Sequence, residues 1–257
     1  MVMREQSPSD IYHVMARGNW KQITFNDDVE REKFLQLLAI EKEKYEIELH
    51  CYCLMDNHFH LLIKAQPDEM SFFMRDLQAA YARFYNWKNG RVGHLFQGVY
   101  KSEPIDTDEY YRSAFRYILR NPEAAGICKT EEYQWSSYED FEFLGGLTDV
   151  NCAMEIIGSY SNLADLLAEN DDHHFLEPER KNCDDLENIS AFLKRNFSIT
   201  DLENLENLGE KQQTKIIKSL KNQGVSVLAI SELFSISART VYNRIYGKNK
   251  RTKIEKV

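Results

Sequence analysis

"IELHCYCLMDNHFHLLIK", residues 47–64, is the stretch on which the fold turns. Two apolar runs of strand-type composition, "IELHCYCLM" (47–55) and "HFHLLIK" (58–64), flank Asp56-Asn57, a two-residue connection of the kind that closes a tight hairpin. Side chains along a strand alternate faces, so His58 and His60 point the same way and Phe59 points into the opposite layer. Two neutral imidazoles converging on one point are half of a metal site, because each can give one ring nitrogen to a divalent ion while a partner holds the other. The same pair fits two half-buried core histidines equally well, so the hairpin specifies local structure before it specifies chemistry.

Working outward, "IYHVMARGN" (11–19) alternates like a strand and stops at Gly18-Asn19. Asn26 or Asp27 can cap a helix over 28–45, whose Phe34, Leu37, Leu38 and Glu41 form a stripe with a charged back. A long helix is expected from about Asp68 to Trp87, ending at Asn89-Gly90, then a strand over "HLFQGVYKSEPI" (94–105) and a helix over 106–126 capped near Asp106 and Thr107. Pro122 disfavours helical geometry at Asn121, so that helix should end or bend there. The order β-α-β-β-α-β-α implies an α+β fold: a ferredoxin-like antiparallel sheet with helices on one face, followed by a mostly α-helical C-terminal region.

Tyr110, Tyr111 and Tyr117 all fall on the last of these helices, and Tyr117 and Asn121, four apart, share one face. A phenol and a carboxamide one turn apart can supply a nucleophile and a third metal ligand to a site already holding two histidines. Taken alone, a single tyrosine on an amphipathic helix is more often a core residue.

Charge divides the chain more sharply than its net −9 suggests. Residues 1–126 carry 16 Lys and Arg against 19 Asp and Glu, residues 127–209 carry 5 against 19, and residues 210–257 carry 11 against 3. A basic terminal segment beyond an acidic stretch points to a separate module that meets polyanions, while the acidic stretch itself is ordinary solvated surface. Five cysteines with no C-x-x-C pair argue against a disulfide framework and a structural zinc site. No apolar run approaches the roughly 20 residues of a membrane span, and "MVMREQSPSD" lacks an export-type apolar core. A cytoplasmic, nucleoid-associated protein with no membrane partner is the expectation.

Four blocks, "YHVMARGN" (12–19), "CLMDNHFHLLIK" (53–64), "GHLFQGVYKS" (93–102) and "YILRNPEAAG" (117–126), resemble in order and spacing the IS200-like single-tyrosine (HUH, Y1) transposase family, particularly its REP-associated (RAYT-like) branch. The likeness continues weakly through "WSSY" (135–138). The family's His-hydrophobic-His motif falls on His58, Phe59 and His60, its helix tyrosine on Tyr117, and its polar residue one turn later on Asn121. The resemblance implies a divalent ion, Mg²⁺ or Mn²⁺, held by His58, His60 and Asn121, and attack by Tyr117 on a phosphate of single-stranded DNA to form a 5′-phosphotyrosine link and a free 3′-hydroxyl. It also implies recognition of a DNA hairpin beside the cleavage site. A single-strand groove combines cations with stacking platforms, and Arg17, Arg83, Arg91, His94, Phe96, Lys101 and Arg116 lie in or near the matching blocks. Gly18 and Gly98 are expected to serve turns or close backbone approach. One tyrosine per chain means that two DNA ends need either a homodimer or two successive reactions.

Residues 139–209 read as an acidic connector: loops such as "GGLTD" and "ENDDHHFLEPERKNCDD" around short amphipathic pieces, with His173 and His174 as surface residues. The tail is expected to form helices over 210–222, 226–234 and 238–247, the last two joined by "SIS" as a helix-turn-helix with Ala229 at a close approach and Val241 and Ile245 facing inward. Arg239, Thr240, Asn243 and Arg244 would then face the major groove of duplex DNA; a three-helix protein-interaction module is the alternative. The expected domains are 1–138 catalytic, 139–209 connector and 210–257 DNA-binding. Two functions from different classes fit: a metal-dependent nickase and strand transferase, or a domesticated regulator that binds DNA hairpins with little turnover. His58, His60, Tyr117 and Asn121 together favour the first, since a pure binder has no need of all four.

Overall fold

The computed structural model describes residues 6–19, 22–158, 163–169, 175, 186–199, 202–206, 208–223 and 225–246. The chain divides into two compact units, Met1–Ala124 with Lys129–Glu179, and Ala125–Cys128 with Arg180–Val257.

The first unit has the expected element order: β1 (Ile11–Arg17), α1 (Asp28–Lys44), β2 (Glu48–Met55), β3 (His58–Lys64), α2 (Pro67–Lys88), β4 (Lys101–Pro104) and α3 (Asp108–Ala124). The strands form one antiparallel sheet in the order β2-β3-β1-β4. Asp56-Asn57 closes the β2–β3 hairpin as expected, and the turn is held from outside: Thr24 and Phe25 N–H donate to the Asp56 carbonyl, and Gly18 N–H to that of Asn57. A Cβ on Gly18 would collide with the Gln22 carbonyl oxygen, so this approach requires glycine.

Helices cover both faces of the sheet rather than one. The period of two along β3 sends Phe59 toward α1 and α2, where its ring meets Phe34 at 4.7 Å and Phe34 meets Tyr81 at 5.2 Å between centroids. The opposite face, carrying His58 and His60, is covered by α3. The stripe on α1 is present, with Phe34, Leu38 and Glu41 buried, and Asp27 caps the helix by accepting from Glu30 N–H. Glu30 and Arg31, four and three residues before Phe34 and so on the stripe's own side of the helix, are buried too. Lys88 and Asn89 donate to Glu30, while Arg31 reaches Asp56.

Two boundaries differ from expectation. Only Lys101–Pro104 pairs with β1; the segment before it is irregular, turned at Gly98 (φ +68°) and joined to β1 by a single bridge between Gly18 and Phe96. Helix α3 runs through Pro122 to Ala124, because a proline two residues from the helix end removes only one backbone hydrogen bond. The weakly matching "WSSY" segment lies along the outer edge of β2: Leu54 N–H donates to the Trp135 carbonyl, Ser137 N–H to that of Tyr52, and Tyr52 N–H to Ser137 Oγ. It thereby covers an otherwise open sheet edge.

The stretch 139–209 is shared between the units. Helices α4 (Tyr138–Glu142), α5 (Val150–Ile157) and α6 (Leu163–Ala168) fall in the first, α7 (Leu186–Phe197) in the second. Helices α8 (Glu210–Asn222), α9 (Val227–Leu233) and α10 (Ala238–Tyr246) follow the expected ranges closely. Ile216, Ile217, Leu220, Ile230, Phe234 and Val241 are buried together with Leu193 of α7, and Ala229 and Ile245 pack against them. Ser226 and Ser237 cap the last two helices by accepting from Ala229 and Thr240 N–H. His173, His174, most of the "ENDDHHFLEPERKNCDD" stretch and Gly224 lie outside the described residues. Among the described residues no helix is long and apolar enough to cross a membrane.

Candidate active site

The register of β1 against β3 sets His58 opposite Arg17 and His60 opposite Met15, and β1 against β4 sets Glu103 opposite His13 and Lys101 opposite Met15. Directly paired residues share a face. One face of the sheet therefore presents His58, His60, His13, Arg17, Lys101 and Glu103, and α3 lays Tyr117 across it.

The rings meet closely. His60 and Tyr117 are 5.6 Å apart between centroids at an interplanar angle of 89°, His13 and Tyr117 5.8 Å at 69°, and His58 and His60 4.9 Å at 86°. His13 Nε2 and His60 Nδ1 share a hydrogen bond of 2.8 Å, and His58 Nδ1 is 2.8 Å from Asn57 Oδ1. The second nitrogen of His13 stands 3.5 Å from Glu103 Oε2, an ion-pair distance rather than a hydrogen bond, and Tyr110 Oη donates to Glu103 Oε1 at 2.5 Å. Phe175 closes the top: its ring stacks on Tyr117 at 4.8 Å and on Tyr110 at 5.3 Å.

Burial lowers the pKa of His60 well below its ordinary value and lowers that of His13, where Glu103 partly opposes the effect. Both rings are thus neutral near pH 7, the state in which an imidazole binds a metal.

Among the described residues no three His, Cys, Asp or Glu side chains are grouped to hold a metal ion. The donors expected from the sequence are two imidazoles and a carboxamide, and one observation tests them. His60 Nε2 is buried with no hydrogen-bond partner among the described residues. A buried ring nitrogen without a partner, beside a second imidazole, fits a Lewis acid in the tautomer that leaves it a lone pair. Asn121 lies one turn beyond Tyr117 on α3, where its Nδ2 donates to the Tyr117 carbonyl at 3.5 Å. The residues present suit a divalent ion.

The DNA-contact candidates sort unequally. Arg17 and Lys101 lie on the histidine face. Arg83 is exposed on α2, in the helix layer across the sheet, and Arg91 sits over the Tyr85 ring at 5.8 Å. His94 is exposed in the irregular segment before β4. Phe96 is a core residue, 7% exposed and packed on Phe59 and Tyr81, not an open stacking platform. Arg116 is buried, donating to Glu169 at 2.6 Å and to Ser113. On α10, Arg239 is exposed, Thr240 Oγ1 meets Ser237 Oγ at the helix cap, Asn243 is half-buried, and Arg244 donates to Gln213 Oε1 at 2.7 Å.

Sequence reasoning missed His13, Glu103 and Phe175. His13 stands in a matching block and on the same strand face as Arg17, but only the register of β1 with β3 and β4 brings it to His60 and Glu103. Phe175 falls in a stretch with no periodic signal.

Residues 7–121 match the family model described as Transposase IS200 like. Among solved structures, a REP-associated tyrosine transposase bound to a REP hairpin shares 14% identity, with 63% of this chain and 95% of that one covered and a TM-score of 0.47. A Deinococcus radiodurans R1 protein described as a transposase shares 20% identity over 47% of this chain and 96% of that one, with a TM-score of 0.34. No curated protein matches the chain.

Proposed function

We propose that this chain, whose residues 7–121 match the IS200-like transposase family, is a metal-dependent nickase and strand transferase of single-stranded DNA with Tyr117 as nucleophile. The observation that carries this is the meeting of Tyr117 with His60, 5.6 Å between centroids, beside His58: three residues from two distant elements that the hydrophobic core alone does not require together.

A divalent ion, Mg²⁺ or Mn²⁺, held by His58, His60 and Asn121 supplies Lewis-acid polarisation of a non-bridging phosphate oxygen when bound. Tyr117 Oη attacks phosphorus in line, the bond from phosphorus to the 3′ oxygen breaks, and the 5′ phosphate stays on the tyrosine. The phenolic proton leaves to water, and the departing 3′ oxygen takes one up to become a hydroxyl. The tyrosine ester keeps the energy of the phosphodiester, so a 3′-hydroxyl from the same or another strand reverses the attack and joins DNA without ATP. Arg17 and Lys101 supply cations on the histidine face, where the backbone of a hairpin-forming single strand would run. In the second unit, α9 and α10 act as a helix-turn-helix that sets Arg239, Thr240 and Asn243 against duplex DNA, with Arg244 held to Gln213. Two DNA ends are served by a homodimer or by two successive reactions, and the place of action is the nucleoid.

The test is a denaturing gel of the protein incubated with labelled single-stranded hairpins from its own genomic neighbourhood, with Mg²⁺ or Mn²⁺, against Tyr117→Phe. A covalent protein–DNA band that needs metal and vanishes in the variant is the expected result. Specific binding without any such band, across substrates and both metals, would instead assign the chain to hairpin-binding regulation.

A further inference from the structure

We infer that His13 is a positioning residue: with Glu103 behind it, it fixes the tautomer of His60 so that His60 Nε2 is presented as a bare lone pair. The inference rests on the proposed metal site, and it concerns residues to which neither the His-x-His pair nor the nucleophile extends.

The geometry leaves little choice of proton position. Only one proton lies between His13 Nε2 and His60 Nδ1, 2.8 Å apart and both fully buried. It can belong to either ring. If His13 held it, His13 Nδ1 would turn a lone pair toward the Glu103 carboxylate at 3.5 Å, and His60 would carry its own hydrogen on Nε2, a buried donor with no acceptor among the described residues. Both consequences are unfavourable, since like dipole ends repel and an unpaired buried donor loses its hydration without replacement. If His60 holds it, His60 Nδ1–H donates to His13 Nε2, and His13 Nδ1–H points toward the carboxylate. The Tyr110 hydroxyl anchors that carboxylate from its other side at 2.5 Å. Glu103 thus breaks the symmetry of the imidazole pair, and the relay Tyr110, Glu103, His13, His60 ends at a lone pair.

The two rings lie edge to edge and close to coplanar, 5.1 Å between centroids at 24°, so the hydrogen bond with His13 fixes the plane of His60 as well as its proton. Removing partners of this kind from histidine ligands lowers metal affinity by roughly 10- to 100-fold. Strand β1 supplies His13, β4 Glu103 and α3 Tyr110, which makes the orientation of His60 a product of the folded sheet rather than of the hairpin alone.

The test uses the full chain with ¹⁵N-labelled histidine. Long-range ¹H–¹⁵N correlation spectra, assigned with His60→Gln, read which nitrogen of His60 carries hydrogen in the absence of metal. Mn²⁺ affinity is then measured by electron paramagnetic resonance for the wild type, His13→Phe and Glu103→Gln; Glu103→Gln keeps an acceptor for Tyr110 while removing the charge, and stands in should His13→Phe not fold. Expected are an Nδ1–H His60 in the wild type, a shift toward Nε2–H in both variants, and Mn²⁺ binding weakened about 10-fold or more in His13→Phe. An Nε2–H His60 in the wild type overturns the inference. So does unchanged Mn²⁺ affinity in the variants, which leaves the metal site itself standing. Failure of the wild type to bind Mn²⁺ at millimolar concentration removes the metal site and the role of His13 together.

Discussion

Arg31 and Asp56 form a buried ion pair, Nη2 donating to Oδ1 at 2.8 Å, with side chains 0% and 4% exposed. Asp56 opens the turn that presents His58, so the pair ties α1 to the hairpin on which the candidate site is built. Removing Asp56 takes from the buried Arg31 guanidinium its nearest carboxylate, with Asp28 Oδ1 standing farther off at 3.9 Å. Asp56→Ala should cost about 3–5 kcal/mol of stability, whereas Arg31→Met with Asp56→Leu should recover most of the loss. Urea unfolding of the three proteins measures this; a cost under about 1 kcal/mol for Asp56→Ala would show that Asp28 or water compensates the Arg31 charge.

Phe175 lies 4.8 Å from Tyr117 and nearly parallel to it, covering one side of the proposed nucleophile. Phe175→Ala should speed nitration of Tyr117 by tetranitromethane several-fold, read by peptide mass spectrometry, with buried Tyr111 as the unreactive control. Equal rates in both proteins would mean that the stack gives no shielding.

Cation position predicts which arginines matter for DNA. Arg17→Ala and Lys101→Ala should each weaken hairpin binding and lower the slope of log K against log salt by about 0.7, one phosphate contact on a single strand. Arg83→Ala, on the far helix layer, should leave both unchanged. Fluorescence anisotropy titrations at three salt concentrations separate the two groups, and an effect of Arg83 equal to that of Arg17 would move the groove to the other face.

His50 gives a pH signature. It occupies the irregularity in β2 between Leu49 and Cys51, is fully buried, and shares a 2.9 Å hydrogen bond with Tyr111 Oη through Nδ1. Burial lowers its pKa below 6.5, Glu48 opposing. The unfolded chain therefore binds a proton near pH 6.5 that the native protein resists, so the contribution is complete above that pH and is lost as pH falls. In His50→Asn, which keeps a polar group near Nδ1, stability should fall less steeply from pH 6.5 to 5, by up to about 1.4 kcal/mol per pH unit. His13 and His60, also lowered, keep part of the slope. Identical slopes in urea titrations across that range would mean His50 protonates freely in the native state.

The hairpin, the element order and the meeting of Tyr117 with the histidine pair were legible because each rests on local periodicity or on motif blocks. Period two put His58 and His60 on one face, and helical spacing set Tyr117 and Asn121 on another. Long-range partners were not legible. Arg31 lies three residues before Phe34, on the stripe side of α1, but only the fold brings Asp56 beneath it. Phe96 and Arg116 look like nucleic-acid contacts in composition, yet the first fills the core and the second is held by Glu169. His13 needed the register of three strands before its partner could be named, and both faces of the sheet acquired helices because α3 returns over the histidines rather than joining α1 and α2.

The most direct measurement locates the covalent bond. A hairpin oligonucleotide whose cleavage product carries a short 5′ tail is incubated with protein and Mn²⁺, nuclease-trimmed and digested, and the nucleotide-bearing peptide is sequenced by mass spectrometry. The added mass is expected on Tyr117, as a 5′-phosphate ester, and absent without metal or in His60→Ala. A nucleotide on Tyr110 or elsewhere, or an adduct that forms equally well in His60→Ala, would contradict the assignment of the nucleophile and its histidine site.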